Sequence, residues 1–265
     1  MRNVLLFLAT LLLGVSAVQA KVVGQEISYQ VDGVTMKGYL AYDRDIKGKR
    51  PGVLVVHEWW GYNDYARKRA MMLAGMGYTA LAVDMYGNGK TADHPDEAGK
   101  FAAEVSKNMP LAKARFEAAM KALNRQKTVA PGQLAAIGYC FGGGVVLNMA
   151  RQGVDLKGVA SFHGSLATDA PAEKGKVKAR IVVFTGADDP MAPKTLVDRF
   201  DKEMTDAGAD FRVVSYPGTK HSFTNPTADE MAKKFNLPLA YNAEADKDSW
   251  KQLGDFLVEL FGKRD

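Results

Sequence analysis

The sequence predicts an α/β protein with a mostly parallel, doubly wound sheet and an N-terminal antiparallel hairpin. Two observations carry this prediction: short and almost continuous apolar segments recur along the chain, and segments with helical periodicity lie between them. Apolar runs of this length are typical of parallel strands that are buried on both faces. Strands that alternate with helices need crossover connections, which place helices on both sides of an open sheet.

The first predicted elements after residue 20 form a hairpin. Residues 26–31 and 35–40 alternate in the manner of strands, and Asp32-Gly33 between them is a turn signal. The apolar runs predict further strands at residues 52–56, 79–83, 133–137, 159–162, 181–184 and 211–216. The helical pattern covers residues 64–75, 96–107, 111–125, 143–151, 192–207 and 246–261. The sequence shows no repeat or linker, so we expect residues 21–265 to form a single domain.

Residues 1–20 have the composition of a signal peptide. An arginine precedes an uninterrupted apolar run, and Val18 and Ala20 occupy the two positions that signal peptidase inspects. The apolar run is about half of the roughly 20 residues that a membrane-spanning helix needs. We therefore expect cleavage after Ala20, export to the periplasm if the source is Gram-negative and secretion otherwise, and no membrane association after cleavage.

Composition excludes several classes of partner. The formal net charge of +5 arises from basic and acidic residues that are interleaved, and no basic block indicates a nucleic-acid partner. The four histidines show no paired ligand spacing and no glycine-rich phosphate loop is present, so neither a metal nor a cofactor is predicted. One cysteine cannot form an internal disulfide. The sequence does not define the oligomeric state, although we expect a monomer.

The single cysteine lies at a predicted corner between a strand and a helix. Cys140 follows the strand at residues 133–137, and Gly138 and Gly142 lie two residues to either side of it. This is the pattern of a nucleophile elbow, in which the turn is too crowded for a Cβ at the flanking positions. The start of a helix favours a thiolate, and the N–H of Phe141 would face a developing oxyanion. We predict that Cys140 is a nucleophile and not a small buried hydrophobe.

A nucleophile in such an elbow needs a base and an acid. His221 lies in the loop after the last predicted strand, where this chain order puts the base. Asp188 and Asp189 follow the strand at residues 181–184, and the Gly-x-x-Asp spacing favours Asp189 as the acid, with Asp188 bracing the turn. His57 and His163, which end strands, are predicted either to line the pocket or to support the site residues from behind, and His94 lies in a polar loop.

At this point the chain resembles the dienelactone hydrolase family of α/β-hydrolases over nearly all of residues 21–265. The resemblance rests on four matches: His57-Glu58-Trp59-Trp60-Gly61, the elbow around Cys140, Gly186-x-x-Asp189 and His221-Ser222-Phe223. It implies the α/β-hydrolase fold and a reaction on ester or lactone bonds of small substrates. It also implies that Glu58 helps to form the thiolate when substrate arrives, and that the N–H of Trp59 completes the oxyanion hole with that of Phe141.

The chain departs from the family pattern four residues after the predicted base. Members that cleave dienelactone carry an arginine there, which binds the substrate carboxylate and pairs with the glutamate, whereas this chain has Asn225. A neutral amide cannot form the charged, two-pronged contact that arginine makes with a carboxylate. The sequence therefore argues against dienelactone as the substrate.

Several alternatives stay open at this stage. The aromatic residues near the strand ends could wall a substrate pocket or simply pack, and the candidates for the pocket are Trp59, Trp60, Tyr62, Tyr86, His163 and Asn225. Glu58 could be a solvated carboxylate at the rim. The chain could also be a non-enzymatic binding module or a thiol redox sensor that has kept the fold. An esterase that uses Ser161, Ser165 or Ser222 is a weaker alternative, because none of them has an elbow around it.

Overall fold

The computed structural model describes residues 21–263, so the predicted signal peptide lies outside the described residues. A single eight-stranded sheet organises the described chain. Its strands are β1 (Val22–Val31), β2 (Val34–Asp43), β3 (Arg50–Val56), β4 (Thr79–Val83), β5 (Val129–Tyr139), β6 (Gly158–Phe162), β7 (Arg180–Gly186) and β8 (Phe211–Tyr216).

The strand order is β1-β2-β4-β3-β5-β6-β7-β8. β1 pairs with β2 and β2 with β4 in antiparallel fashion, and all the other neighbouring pairs are parallel. Every residue of β3, β4 and β6 is buried, as expected for strands that are covered on both faces. The predicted mostly parallel sheet with an antiparallel N-terminal hairpin is confirmed.

Helices cover both faces of the sheet. They are α1 (Asp64–Gly75), α2 (Pro95–Ser106), α3 (Met109–Asn124), α4 (Phe141–Arg151), α5 (Lys194–Ala207), α6 (Ala228–Phe235) and α7 (Ala243–Phe261). One core cluster joins the sheet to α2, α3, α4 and α5, and a second joins the opposite face to α1 and α7. Apolar burial on both faces is what fixes the crossovers of such a sheet.

The sequence prediction missed α6 and the first residues of β5 and α7. β5 begins at Val129, before the apolar run, and its pairing with β3 shifts register between Arg50 and Gly52. α7 begins at Ala243, where the side chain of Asn242 caps it by accepting from the N–H of Ala245. Within residues 21–263 no helix combines the length and the apolar character needed to cross a membrane.

Candidate active site

The carboxyl ends of the parallel strands bring four sequence-predicted residues to one edge of the sheet. Glu58 follows β3, Cys140 follows β5, Asp189 follows β7 and His221 lies in the loop after β8. In an open α/β sheet this edge is where ligands bind. The four residues are far apart in the sequence, and the strand order is what brings them together.

Cys140 occupies a strained turn between β5 and α4. Its φ of 51° and ψ of −114° lie outside the regions that L-residues prefer. The flanking glycines are sterically required, since a Cβ on Gly138 would lie 2.1 Å from the carbonyl oxygen of Gly142. A Cβ on Gly142 would lie 2.4 Å from the carbonyl oxygen of Val56. The close approach of strand and helix therefore holds the partly exposed thiol at the tip of the turn.

Backbone strain is concentrated at this edge of the sheet. Six non-glycine residues among those described have a positive φ, and three of them, Cys140, His163 and Ser222, lie here. Such conformations cost about 1–3 kcal/mol each and cluster at functional sites. Their grouping marks the edge as a candidate active site without reference to any motif.

His221 and Asp189 form a buried pair. Nδ1 of His221 lies 2.7 Å from Oδ2 of Asp189, and the other carboxylate oxygen of Asp189 accepts from the N–H of Met191 at 2.8 Å. Asp188 is exposed, and its own N–H donates to the carbonyl oxygen of Thr219. Of the two predicted candidates for the acid, Asp189 is therefore the one in contact with the imidazole.

The free side of the His221 ring faces the thiol. Nε2 of His221 is buried and makes no hydrogen bond within residues 21–263. Burial opposes the charged imidazolium, but the charge of the Cys140 sulfur, the hydrogen bond that His221 donates to Asp189 and the contact of His221 with Cys140 outweigh it and raise the pKa of His221 to about 10. The imidazole is thus suited to accept a proton from the thiol.

A small cavity opens in front of these two residues, and it is called the Cys140 cavity below. Its volume is about 310 Å³, and its lining comprises Trp59, Ala102, Cys140, Phe141, Gly164, Ser165, Met191, His221 and Leu239. The lining is almost entirely apolar apart from the reactive groups. A cavity of this kind accepts a small organic molecule and fixes it with few polar contacts.

Two backbone N–H groups are available beside the thiol. The N–H of Gly142 donates to the carbonyl oxygen of His57 at 3.1 Å, which ties the first turn of α4 to the end of β3. Trp59 lies two residues after His57, and Phe141 directly precedes Gly142. The backbone N–H groups of Trp59 and Phe141 donate no hydrogen bond within residues 21–263. Unpaired donors next to a nucleophile are the components of an oxyanion hole.

Glu58 is buried and carries no charged partner in direct contact among the described residues. Its two carboxylate oxygens accept from the Asn225 amide at 2.6 Å and from the Ser222 hydroxyl at 3.1 Å. Burial raises the pKa of Glu58, and these hydrogen bonds together with the positive charge of His221 oppose the rise. The sequence-based alternative of a solvated rim carboxylate is wrong, because the side chain is only 2% exposed.

The predicted pocket aromatics lie in three different places. The Tyr86 hydroxyl donates to the carbonyl oxygen of Trp59 at 3.0 Å, so Tyr86 supports the wall of the cavity from behind. Trp60 lines a neighbouring cleft together with Asn225. Tyr62 lies outside both, because its hydroxyl donates to Glu26 and the Arg67 guanidinium covers its ring. A place in the substrate pocket is therefore not supported for Tyr62.

The two strand-end histidines are buried and hydrogen bonded. Nε2 of His57 accepts from the N–H of Met85 at 3.2 Å, and its Nδ1 contacts the carbonyl oxygen of Glu58. His163 contacts the Thr224 hydroxyl through Nε2, and its ring packs edge to face on that of His221. Burial lowers the pKa of both rings, and the charge of His221 adds to the effect on His163. Both therefore act as neutral packing groups around the pair and the thiol.

Residues that the sequence reasoning did not single out hold the His221 loop. Thr224, which contacts His163, also accepts through its carbonyl oxygen from buried Arg69 at 2.7 Å. Leu239 forms an isolated bridge with His221, and the N–H of Ala240 donates to the His221 carbonyl oxygen. The sequence offered little indication of these contacts, because no spacing pattern links an arginine on a helix to a threonine in a distant loop.

The serine alternatives are not positioned as nucleophiles. Ser222 donates its hydroxyl to Glu58, and Ser161 is fully buried in β6. Ser165 lines the cavity but has no elbow around it. Within residues 21–263, His, Cys, Asp and Glu side chains nowhere form a group of three or more that could hold a metal ion.

Comparisons with known proteins point to one family. The model of the dienelactone hydrolase family matches residues 36–261. The fold superposes on a dienelactone hydrolase-like promiscuous phosphotriesterase from metagenomic libraries with a TM-score of 0.84 and 32% identity, over 91% of this chain and 100% of that chain. A solved protein named m3DLH gives a TM-score of 0.86 and 34% identity over 91% and 99% of the two chains. Protein usf of Aquifex pyrophilus is 28% identical over 223 residues, which are 83% of this chain and 95% of that protein.

Proposed function

The chain belongs to the dienelactone hydrolase family, and we propose that it cleaves ester or lactone bonds of small, uncharged substrates through a triad of Cys140, His221 and Asp189. The observation that carries the proposal is the 2.7 Å contact between His221 and Asp189, with the free nitrogen of the same ring beside the thiol. This is the arrangement by which a base, held by an acid, activates a nucleophile.

The reaction follows from the positions of the groups. Cys140 gives its proton to Nε2 of His221 and its sulfur attacks the carbonyl carbon, while the N–H groups of Trp59 and Phe141 stabilise the oxyanion. His221 then returns the proton to the leaving alkoxide as the C–O bond breaks, which leaves a thioester. Water attacks the thioester with His221 as base, and the products are the carboxylic acid and the free thiol.

Glu58 supplies a second proton acceptor near the thiol. Its neutral hydrogen-bond donors, Asn225 and Ser222, orient the carboxylate without neutralising it. Because burial raises the pKa of Glu58, the carboxylate binds a proton more readily than an exposed one would. In the proposed mechanism it helps to form the thiolate once a substrate excludes water from the cavity.

The charge of the preferred substrate follows from the lining. Among the described residues that line the Cys140 cavity none is Lys or Arg, and Asn225 already uses its amide on Glu58. A substrate carboxylate placed there would lose its hydration without gaining the charged, two-pronged contact that an arginine makes, which is costly. Uncharged esters and lactones are therefore preferred over dienelactone.

The test is turnover of p-nitrophenyl acetate and simple lactones by the protein that begins at Lys21. Cys140→Ala and His221→Ala should each lower kcat by about a thousandfold or more, as expected for members of a catalytic unit. The matched control is His94→Ala, since His94 is an exposed histidine on the N-terminal side of α2. Equal turnover by all four proteins would contradict the proposal. In the proposed enzyme, alkylation of the thiol abolishes turnover, whereas a thiol that alkylates readily in a protein without ester turnover would favour the redox-sensing alternative.

The sequence of residues 1–20 supports export as a further part of the proposal. A signal peptide cleaved after Ala20 would leave a mature protein that begins at Lys21. The N-terminal sequence of the protein recovered from outside the cytoplasm tests this. Recovery of the full-length chain only from the cytoplasm would contradict it.

A further inference from the structure

A second cavity lies directly beside the Cys140 cavity and is called the distal cavity below. Its volume is about 480 Å³. Phe141 and Ser165 belong to the lining of both cavities, so they form the boundary between the two spaces. The remaining residues of the distal cavity come from α2 and α3, from α4, and from the segment after β6.

The two cavities follow each other along the same elements. On α2, Ala102 lines the Cys140 cavity and Ser106 lines the distal cavity. On α4, Phe141 is shared and Val145 belongs to the distal cavity. Four residues of an α-helix span about 6 Å along its axis, so α2 and α4 each extend from one cavity to the other over the same distance. The two cavities, together called the trough below, therefore lie one after the other along α2 and α4, with the thiol in the first and Phe141 at their common boundary.

The lining changes character along the trough. The floor of the distal cavity is apolar and is formed by Met109, Ala112, Val145 and Met149. Its outer end carries polar side chains, namely Ser106, Lys107, Asn148, Thr168 and Asp169. An apolar floor stabilises methylene groups by removing them from water, and the polar end opens towards solvent.

We propose that the distal cavity is a binding subsite for the apolar arm of an elongated ester whose carbonyl group lies at Cys140. The inference rests on the proposed function and specifies its substrate class as esters with an unbranched apolar arm several carbons long. A short arm ends inside the Cys140 cavity, whereas a longer one passes Phe141 and is buried against the floor formed by α3 and α4.

The large cleft on the other side of the site does not fit this role. It contains Trp60, Lys68 and Asn225, and it shares no lining residue with the Cys140 cavity. The Cys140 cavity therefore shares lining residues with the distal cavity and none with this cleft. Exposed Lys68 on α1 offers a matched position for a control substitution.

The experiment compares kcat/KM for octanoate and acetate esters of p-nitrophenol, and for octyl and methyl acetate. The wild type should have the higher kcat/KM for the ester with the longer arm in at least one of these two pairs. Ser106→Trp, which fills the outer part of the distal cavity from an exposed helical position, should lower the long-to-short ratio about tenfold, the effect of losing burial of two methylene groups. Ala167, in the segment after β6, also lines the distal cavity, and Ala167→Trp should act in the same direction.

The control Lys68→Trp should keep the wild-type ratio. A ratio that is the same in wild type, Ser106→Trp and Ala167→Trp overturns the subsite while leaving Cys140-dependent hydrolysis of short esters intact. A ratio that falls equally in Lys68→Trp also overturns it, because the cleft beyond Trp60 would then bind the arm. Absence of hydrolysis for every ester in the wild type rejects the proposed function together with the subsite.

Discussion

The Asn225 amide donates a 2.6 Å hydrogen bond to Oε2 of Glu58, a buried carboxylate that directly precedes Trp59 in the wall of the Cys140 cavity. The Ser222 hydroxyl donates to the other oxygen at 3.1 Å. Both donors are neutral, so the proton affinity of Glu58 reflects a balance between burial, which raises its pKa, and these hydrogen bonds, which oppose the rise. Changing either donor should therefore change the pH dependence of the reaction.

Asn225→Leu should move the acidic limb of the kcat/KM profile to higher pH. Leucine is similar in size but cannot donate, so the carboxylate loses its shorter hydrogen bond and the pKa of Glu58 rises further. In the proposed mechanism the ionised carboxylate assists the thiol, and in this variant it would form only at higher pH. The control is Thr227→Ala, because the Thr227 hydroxyl donates to Asn225 and not to Glu58. A limb that stays in place or moves to lower pH in Asn225→Leu would contradict this role for Glu58.

Asp189→Asn should lower kcat by about ten-thousandfold, the loss seen when the acid of a serine-protease triad is replaced by its amide. The amide can still contact Nδ1 of His221, but it removes the negative charge that stabilises the imidazolium. Asp188→Asn is the matched control, because its side chain is exposed and directly precedes Asp189 in the sequence. The measurement is kcat for ester hydrolysis by the two variants and the wild type. A larger loss in Asp188→Asn than in Asp189→Asn would reverse the assignment.

The central strands were predictable because strands that are buried on both faces consist almost entirely of apolar residues. β3, β4 and β6 are continuous apolar segments and were found almost to the residue, and family membership was recognisable from the motifs at their ends. α6 was missed although Ala228, Met231 and Phe235 follow helical spacing. With only eight residues it carried too little periodicity to stand out from the loop around it.

Side-chain contacts within the site were harder to foresee. The chemistry-bearing residues at the ends of parallel strands share an edge by topology, and the chain order of such residues predicted Cys140, Asp189 and His221. The role of Glu58 beside them was implied by the family resemblance. Tyr62 follows Trp60 by only two residues, yet its hydroxyl contacts Glu26, because residues in a turn point in directions that spacing does not encode. The hydrogen bonds from Ser222 and Asn225 to Glu58 likewise depend on the path of the loop after β8.

Glu58→Gln should raise the free energy of unfolding near pH 7 while it lowers the rate of ester hydrolysis. The folded-state pKa of Glu58 is raised, so folding favours the protonated form, and the ionised carboxylate destabilises the fold. This cost is absent below the unfolded pKa, increases as the pH rises, and is complete above the folded pKa. A neutral glutamine avoids it and can still accept from the Asn225 amide.

Urea unfolding of Glu58→Gln and wild type across the acidic range checks this prediction. The stability difference should be largest at neutral pH and should shrink as the pH falls through the titration of the carboxyl group. The control is the same substitution at an exposed glutamate of α2, Glu97→Gln. A glutamine variant at Glu58 that is less stable than wild type at pH 7 would mean that the ionised form is favoured by the fold.

Gly142→Ala should destabilise the fold as well as abolish turnover. The new Cβ would lie 2.4 Å from the carbonyl oxygen of Val56 and 2.6 Å from that of His57, and both are backbone atoms that cannot rotate away. Separating α4 from β3 to make room would cost about 2–3 kcal/mol and break the hydrogen bond from Gly142 to His57. Gly99→Ala on α2 is the matched control, because a Cβ at Gly99 would point into open space. Alanine there should stabilise the helix by about 0.5–1 kcal/mol. Urea unfolding that ranks Gly142→Ala at or above the wild type would show that the elbow tolerates a side chain, and steric crowding would then not be what holds the thiol at its tip.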